Sequence, residues 1–393
     1  MIQYRTAGES HGKGLVVIID GIPAGLKLKA TDIDFHLARR QTGYGRGKRV
    51  RKIEKDHVEF ISGVRWGETI GSPISLFIKN RDWENWGSIM SEKEEDFSEQ
   101  FFMRKPRPGH ADLPGLIKFG RKDLRDILER ASARETAARV CAGAIAIKFL
   151  KELSIKIHSF TKEIAGIRAK AMKLNWDDVV RRTASSPVRC LDKEAEKKMI
   201  QAIDEAAKKG DTVGGIFTVV VWNLPPGFGS YTSWEKRLDS RIAKALMAIP
   251  SVKGVEIGRG FSASRLPGSK VHDPIYFDKE KGVYRKTNNA GGIEGGVSNG
   301  EQIIARASMK PIPSLKKPLE SFDIIEKKPT LAEIVRSDIC VVPSAGVIGE
   351  AVVAFEIADA ILEKIGGDSM QDVKRNFKAY LERIREFWHP HEE

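Results

Sequence analysis

The stretch Ser132-Ala-Arg-Glu-Thr-Ala-Ala-Arg-Val-Cys-Ala-Gly-Ala-Ile-Ala-Ile-Lys-Phe-Leu-Lys-Glu-Leu153 reads as one long helix. Ser132 and Glu135 have the spacing of a capping box, and the run from Ala137 to Leu153 is rich in apolar residues. Leu124–Arg130 is a second helical pattern just upstream, so the chain should break at Ser132. A helix start carries unsatisfied N–H groups and a positive dipole end, and Arg130 and Arg134 add charge here. Such a start can seat a phosphate, although an ordinary capped surface helix has the same pattern.

Outward from this helix, strands and helices are mixed without regular alternation. Gly14–Asp20, Pro73–Lys79 and Ile216–Trp222 are short β-branched or aromatic runs with turn residues near their ends, and so read as strands. A helix is expected to begin at Thr31, with Asp34 three residues on, and another at Thr330, where Glu333 completes a capping-box spacing. Val347, Ala351, Ala354, Ala358, Ile361 and Leu362 mark a helix ending at Gly366-Gly367. Val373, Phe377, Tyr380, Leu381, Ile384 and Trp388 share one face of a C-terminal helix, a core or subunit-interface stripe. The irregular order argues against a doubly wound sheet and for an α+β fold. With no linker in the sequence, residues 1–393 are expected to form a single domain, the amphipathic helix and tail occupying about 368–393.

The 393 residues, 41% hydrophobic, can bury a large core. No apolar run approaches the ~20 residues that span a bilayer, and the N-terminus lacks a signal peptide's hydrophobic region, so a soluble, cytoplasmic protein is expected. Cys141, Cys190 and Cys340 are isolated, which suggests neither disulfides nor a thiolate zinc site, and no histidine spacing suggests a metal.

The net charge of +13 suits either a nucleic-acid binder or a site for small anions. Eight basic residues crowd into 39–55 (Arg39, Arg40, Arg46, Lys48, Arg49, Arg51, Lys52, Lys55) against the single carboxylate of Glu54, around Gly43-Tyr-Gly-Arg-Gly47. Glycine lets the backbone approach a ligand, and guanidinium groups grip carboxylate and phosphate through paired hydrogen bonds. Zinc-finger spacing, an aromatic RNA-binding strand and a long basic tail are all missing, which favours a small polyanion. His11 in Gly8-Glu-Ser-His-Gly12 and His110 in Arg107-Pro-Gly-His-Ala-Asp112 lie on turns beside glycine, where an imidazole can transfer protons, though each alone could be structural. Asn288–Gly300 holds five glycines without a Rossmann or P-loop pattern, followed by Met309-Lys-Pro-Ile-Pro-Ser314 and Arg336-Ser-Asp-Ile-Cys340.

Taken together, GESHG at 8–12, RRQTGYGRG at 39–47, RPGHAD at 107–112, RASARET at 130–136, TNNAGGIEGG at 287–296, MKPIPS at 309–314 and RSDIC at 336–340 resemble the chorismate synthase family, in order and across nearly the whole chain. The resemblance implies a β-α-β sandwich that assembles as a homotetramer. It also implies a lyase that converts 5-enolpyruvylshikimate 3-phosphate to chorismate and phosphate with reduced FMN as cofactor. NADPH could serve as indirect reductant, with the flavin reduced on this chain or by a separate flavin reductase, and no nucleic-acid or membrane partner is expected.

Residue by residue, the resemblance implies that Arg40, Arg46, Arg49, Arg107 and Arg134 surround the substrate. The flavin would meet Arg130, Ala131 and Ser132, then Pro250 and Ser251, Gly295, Lys310, Pro311, Ile312, Pro313, Ser314 and Arg336. Many family members carry a polar residue where this chain has Pro250, which leaves a backbone contact there. His11 would protonate the departing phosphate, His110 would protonate or stabilise the reduced flavin, and Asp338 with Ser10 would assist removal of the C6 proton. The family's RHDPC is RSDIC here, so Ser337 and Ile339 inherit no role. The alternatives are a basic RNA-binding protein and another FMN-binding enzyme without the lyase chemistry.

Overall fold

The computed structural model describes residues 1–47, 55–172, 175–279 and 282–388. Lys48, Arg49, Arg51, Lys52 and Glu54 of the basic stretch, and the tail histidines His389 and His391, lie outside them.

The short apolar runs assemble into two antiparallel sheets. Gln3–Ala7 (β1), Gly14–Asp20 (β2), Val58–Ser62 (β3) and Ile74–Lys79 (β4) form one, in the order β1-β2-β4-β3. Lys156–Ile164 (β5), Ile167–Arg168 (β6), Gly215–Trp222 (β7), Val252–Ile257 (β8) and Ile303–Met309 (β9) form the other, in the order β8-β9-β7-β5-β6. In β4 the period of two is plain: Ile74, Leu76 and Ile78 are buried, and the residues between them are not.

Helices Ala30–Gln41 (α1), Arg125–Ala131 (α2), Thr136–Glu152 (α3), Lys193–Lys209 (α4), Val342–Ile365 (α5) and Met370–Trp388 (α6) complete the framework around the site. α3 packs on β2 and on α5, and α5 packs on β5 and β7, so the helices form the middle layer of an α+β sandwich. A helix buried between two sheets needs apolar residues on most of its surface, as α5 has from Val342 to Leu362, with the buried Glu350 paired to Arg39. The middle layer is thin because Gly143 of α3 lies against α5: a Cβ there would fall 2.3 Å from Ala351 Cα.

Three local expectations give way. Helix α1 begins at Ala30, not Thr31, because the Lys29 N–H donates to Asp32 at 2.9 Å and closes the first turn, while Asp34 accepts from Val58 N–H. No helix starts at Thr330. Pro329–Leu331 pairs with Glu320–Phe322, and the N–H groups of Ala332 and Glu333 donate to Leu319 and Lys105, so non-local pairing overrides the capping spacing. At Ser132 only half of the capping box forms. Ser132 Oγ accepts from Arg134 N–H, but Glu135 takes Thr6 Oγ1 and Arg139 instead of returning to Ser132. The tail helix agrees with its stripe, with Val373 and Phe377 buried and Tyr380, Leu381 and Ile384 half-buried.

Candidate active site

Predicted residues form two clusters, one beside Gly43–Gly47 and the other beside Asp56. The first begins with the turn Arg107–Asp112, tightened by a hydrogen bond from His110 N–H to Arg107 O and by positive φ at Gly109. Arg107 is buried and donates through Nε to Asp112 Oδ2 at 2.8 Å, and through Nη1 to Ser314 Oγ at 2.7 Å. His110 Nδ1 lies 2.6 Å from Asp112 Oδ1. Burial pushes the Asp112 carboxyl up, but the hydrogen bonds and charges of His110 and Arg107 outweigh it and hold the group well below the usual carboxylate range. The Lys310 ammonium donates to Gly109 O, and the Lys310 N–H donates to Ser251 O at 2.9 Å. The latter bond ties the Met309–Ser314 segment to the Pro250-Ser251 turn, where Ser251 stands at φ 69°.

The departure at Ser337 acquires a purpose here. Its hydroxyl donates to Ser314 O, tying the Met309–Ser314 segment to Arg336–Cys340. Ile339 N–H donates to Gly45 O at 2.8 Å, and Asp338 accepts from Arg46 Nη1 at 2.7 Å and from Gly47 N–H at 2.6 Å. Asp338 is thus no helix cap, since Val341 holds that position for α5. The Gly43–Gly47 loop is further docked by Tyr44, whose N–H donates to Pro187 O and whose hydroxyl donates to Asp204 of α4 at 2.9 Å. Arg336 is exposed on the same segment.

The second cluster gathers where the chain returns at Asp56. Arg134 donates to both oxygens of Asp56 at 2.6 Å and to Asn80 Oδ1, and Arg40 donates to Thr136 Oγ1 and Ala133 O. Ser132 Oγ donates to Ser10 Oγ at 3.2 Å, next to His11. His11 pairs with Glu129 on α2, through Nδ1 at 2.9 Å and through its backbone N–H at 2.8 Å. Arg40, Arg107 and Arg134 are each at most 7% exposed. Cations placed so deep, each beside a carboxylate, form built sites rather than a solvated face for a phosphodiester backbone.

Some predicted residues are not brought together. Arg130 is exposed and donates to Gly8 O and Thr6 O, so it braces β1 and the histidine loop, while Ala131 ends α2. Gly295 turns a hairpin, Ile293–Glu294 with Val297–Ser298, whose hydrogen bonds run to Phe228, Leu238 and Arg285. Among the described residues no hydrogen bond joins Ser10 to Asp338. Pro311, Ile312 and Pro313 extend the segment that Thr212 holds through Ile312 O.

Several site residues were absent from the sequence reading. Glu129 stands one residue before the quoted motif RASARET, Asp56 one residue beyond the basic stretch, and Asn80 and Trp86, whose indole stacks on His11, far from any motif. Only the His-x-Asp spacing of His110 and Asp112 offered a signal. Burial pushes the Cys340 thiol up to about 12 and raises those of Cys141 and Cys190, so the three are core thiols. Among the described residues no helix is long and apolar enough to cross a membrane, and no group of three or more His, Cys, Asp or Glu could hold a metal ion.

Within the α+β sandwich, the His11–Glu129 and His110–Asp112 pairs beside buried arginines have the parts of an acid–base site suited to an anion. The profile of the chorismate synthase family matches residues 2–362. The chain is 52% identical over 394 residues to the chorismate synthase of Geobacter sulfurreducens and 53% identical over 392 residues to that of Pelobacter propionicus, covering 98% of this chain and 100% of each relative. A crystal structure of chorismate synthase superposes with a TM-score of 0.80 at 42% identity, covering 98% of this chain and 99% of that one. The chain belongs to the chorismate synthase family, and so to the lyases.

Proposed function

We propose that this chain converts 5-enolpyruvylshikimate 3-phosphate to chorismate and phosphate, the last common step of the shikimate pathway toward the aromatic amino acids, with reduced FMN bound beside the substrate. The observation that carries this reading is the network that runs from His110 through Arg107, Ser314 and Ser337 to the Asp338 segment and Arg46. It supports the reading because an acid–base pair and fixed cations share one hydrogen-bonded network, as two ligands that each carry a phosphate require.

The residues present suit such ligands. Arg46 Nε is buried without a hydrogen-bond partner among the described residues, a donor suited to an anion. Gly109, at φ 80°, packs toward Lys310 Nζ and Pro313, which a Cβ there would meet at 3.4 and 3.6 Å, and so keeps the His110 turn close to the Met309–Ser314 segment. Lys310, Ser314, Ser132 and Arg336 would hold the flavin and its phosphate, with Arg40, Arg46, Arg49, Arg107 and Arg134 around the substrate.

In an anti 1,4-elimination the C3–O bond breaks with its electron pair leaving on phosphate, and the C6–H pair becomes part of the new diene, with no net redox change. Reduced FMN, when bound, supplies an electron-rich ring that lends density to the allylic system. His11 donates a proton to the departing phosphate, Asp338 with Ser10 accepts or relays the C6 proton, and His110, braced by Asp112 and Arg107, neutralises the reduced ring. The chain works as a single domain in a cytoplasmic homotetramer, with flavin reduced by NADPH on the chain itself or by a separate reductase.

Anaerobic assay with substrate and dithionite-reduced FMN tests the reading, with chorismate and phosphate expected in equal amounts. Absence of turnover from folded protein under those conditions overturns it. A parallel assay with NADPH under air separates the two sources of electrons.

A further inference from the structure

His11 is gripped from two sides. Its Nδ1 lies 2.9 and 3.0 Å from the two oxygens of Glu129, and its backbone N–H donates to the same carboxylate at 2.8 Å. Across the ring face, the Trp86 indole stacks with centroids 3.8 Å apart and planes 25° from parallel. Both partners are themselves held. Glu129 is 2% exposed, with Arg125 3.5 Å away, and the Arg125 guanidinium also lies over the Trp86 ring. Trp86 Nε1 donates to Asp82 at 3.2 Å.

An ionised carboxylate only accepts, so contact with Glu129 requires the proton on Nδ1. An imidazole can give its proton from either nitrogen, and a buried carboxylate on one of them removes the choice, as the orienting aspartate of a serine-protease triad does. We propose that Glu129 is a positioning residue that holds His11 in the Nδ1–H form, that Trp86 clamps the ring plane, and that Nε2 is the atom exchanging a proton with the departing phosphate. The phosphate half of this inference rests on the lyase reading; the tautomer half does not. The competing role for Glu129 is a strut between the Gly8–Gly12 loop and α2, which would govern stability alone.

Long-range proton–nitrogen spectra of the full chain, labelled with ¹⁵N-histidine and assigned with His11→Ala, read the tautomer without substrate. The neutral His11 ring is expected to carry its proton on Nδ1; a neutral ring protonated on Nε2 overturns the proposal. In Glu129→Gln the carboxamide can donate to Nδ1 and admit the wrong tautomer, so kcat should fall ~10²–10⁴-fold with KM changed only a few-fold. Glu129→Asp, which keeps the charge, should recover most of that loss, and Trp86→Leu should cost about tenfold in kcat. A folded Glu129→Gln enzyme with unchanged kcat assigns Glu129 to the strut role. If that variant fails to fold, the spectra of the unaltered chain still decide. Failure of the unaltered chain to turn over substrate, with the Nδ1–H signature intact, removes the lyase reading and the phosphate half but leaves the tautomer assignment standing.

Discussion

Arg46 donates to Asp338 across 2.7 Å, joining the loop after α1 to the segment before α5, and the adjacent Gly47 N–H occupies the other carboxylate oxygen. The pair sets the cation proposed for the substrate against the carboxylate proposed for its C6 proton. In the proposed reaction a substrate carboxylate would compete for Arg46, and each guanidinium contact it took would free Asp338 for the role of base. Asp338→Asn removes the charge and keeps the shape. Turnover should fall by about 10², with a larger primary isotope effect for C6-deuterated substrate and a smaller change in KM. A lowered melting temperature with unchanged C–H cleavage would make Asp338 a loop anchor.

His11→Ala and His110→Ala should each lose ~10²–10⁴-fold in kcat while remaining folded. Both lie on loops, and removal of His110 leaves Asp112 still paired with Arg107. Wild-type turnover by either purified variant removes that residue from the mechanism.

FMN should bind much more tightly in the presence of substrate. Arg107, proposed for the substrate, donates to Ser314, proposed for the flavin, so one ligand would order the donors that the other uses. Titrations with and without substrate that return one flavin affinity would count against a shared pocket.

Stability should fall on mild acidification. His36 and His158 are held down at about 4, by burial first, with Arg39 next for His36 and with Arg189 and Arg39 opposing Glu350 at His158. Unfolding restores values near 6.5, so between about 6.5 and 4 the unfolded chain binds more protons and stability declines as pH falls. Glu350 acts in the same direction at lower pH. Burial raises its carboxyl, but Arg39, His158 and Arg189 hold it well below the usual range, a contribution lost as the group protonates. Urea midpoints measured from pH 7 to 4 should drop, and a flat profile contradicts the assignment.

Gly143→Ala should destabilise the sandwich by ~1–3 kcal/mol, since the added methyl would sit 2.3 Å from Ala351 Cα and force α3 and α5 apart. Denaturant unfolding checks this, with little change expected in KM for the enzyme that remains folded.

Residue order alone determined the fold class, the strands around Val16, Leu76 and Val219, the long helices α3 and α5, and the motifs that bear His11, His110 and Asp338, because periodicity and turn chemistry are local properties. The same local logic failed at Thr330, where a strand partner from Glu320–Phe322 claimed the backbone. Tertiary structure alone decided which carboxylate serves which cation or imidazole: Glu129 for His11, Asp56 for Arg134, Glu350 for Arg39, Asp338 for Arg46. These partners lie between 78 and 311 residues apart along the chain. Buried charge must be paired, but no local pattern says by whom, and the partner is settled only when two sheets close on a shared layer of helices.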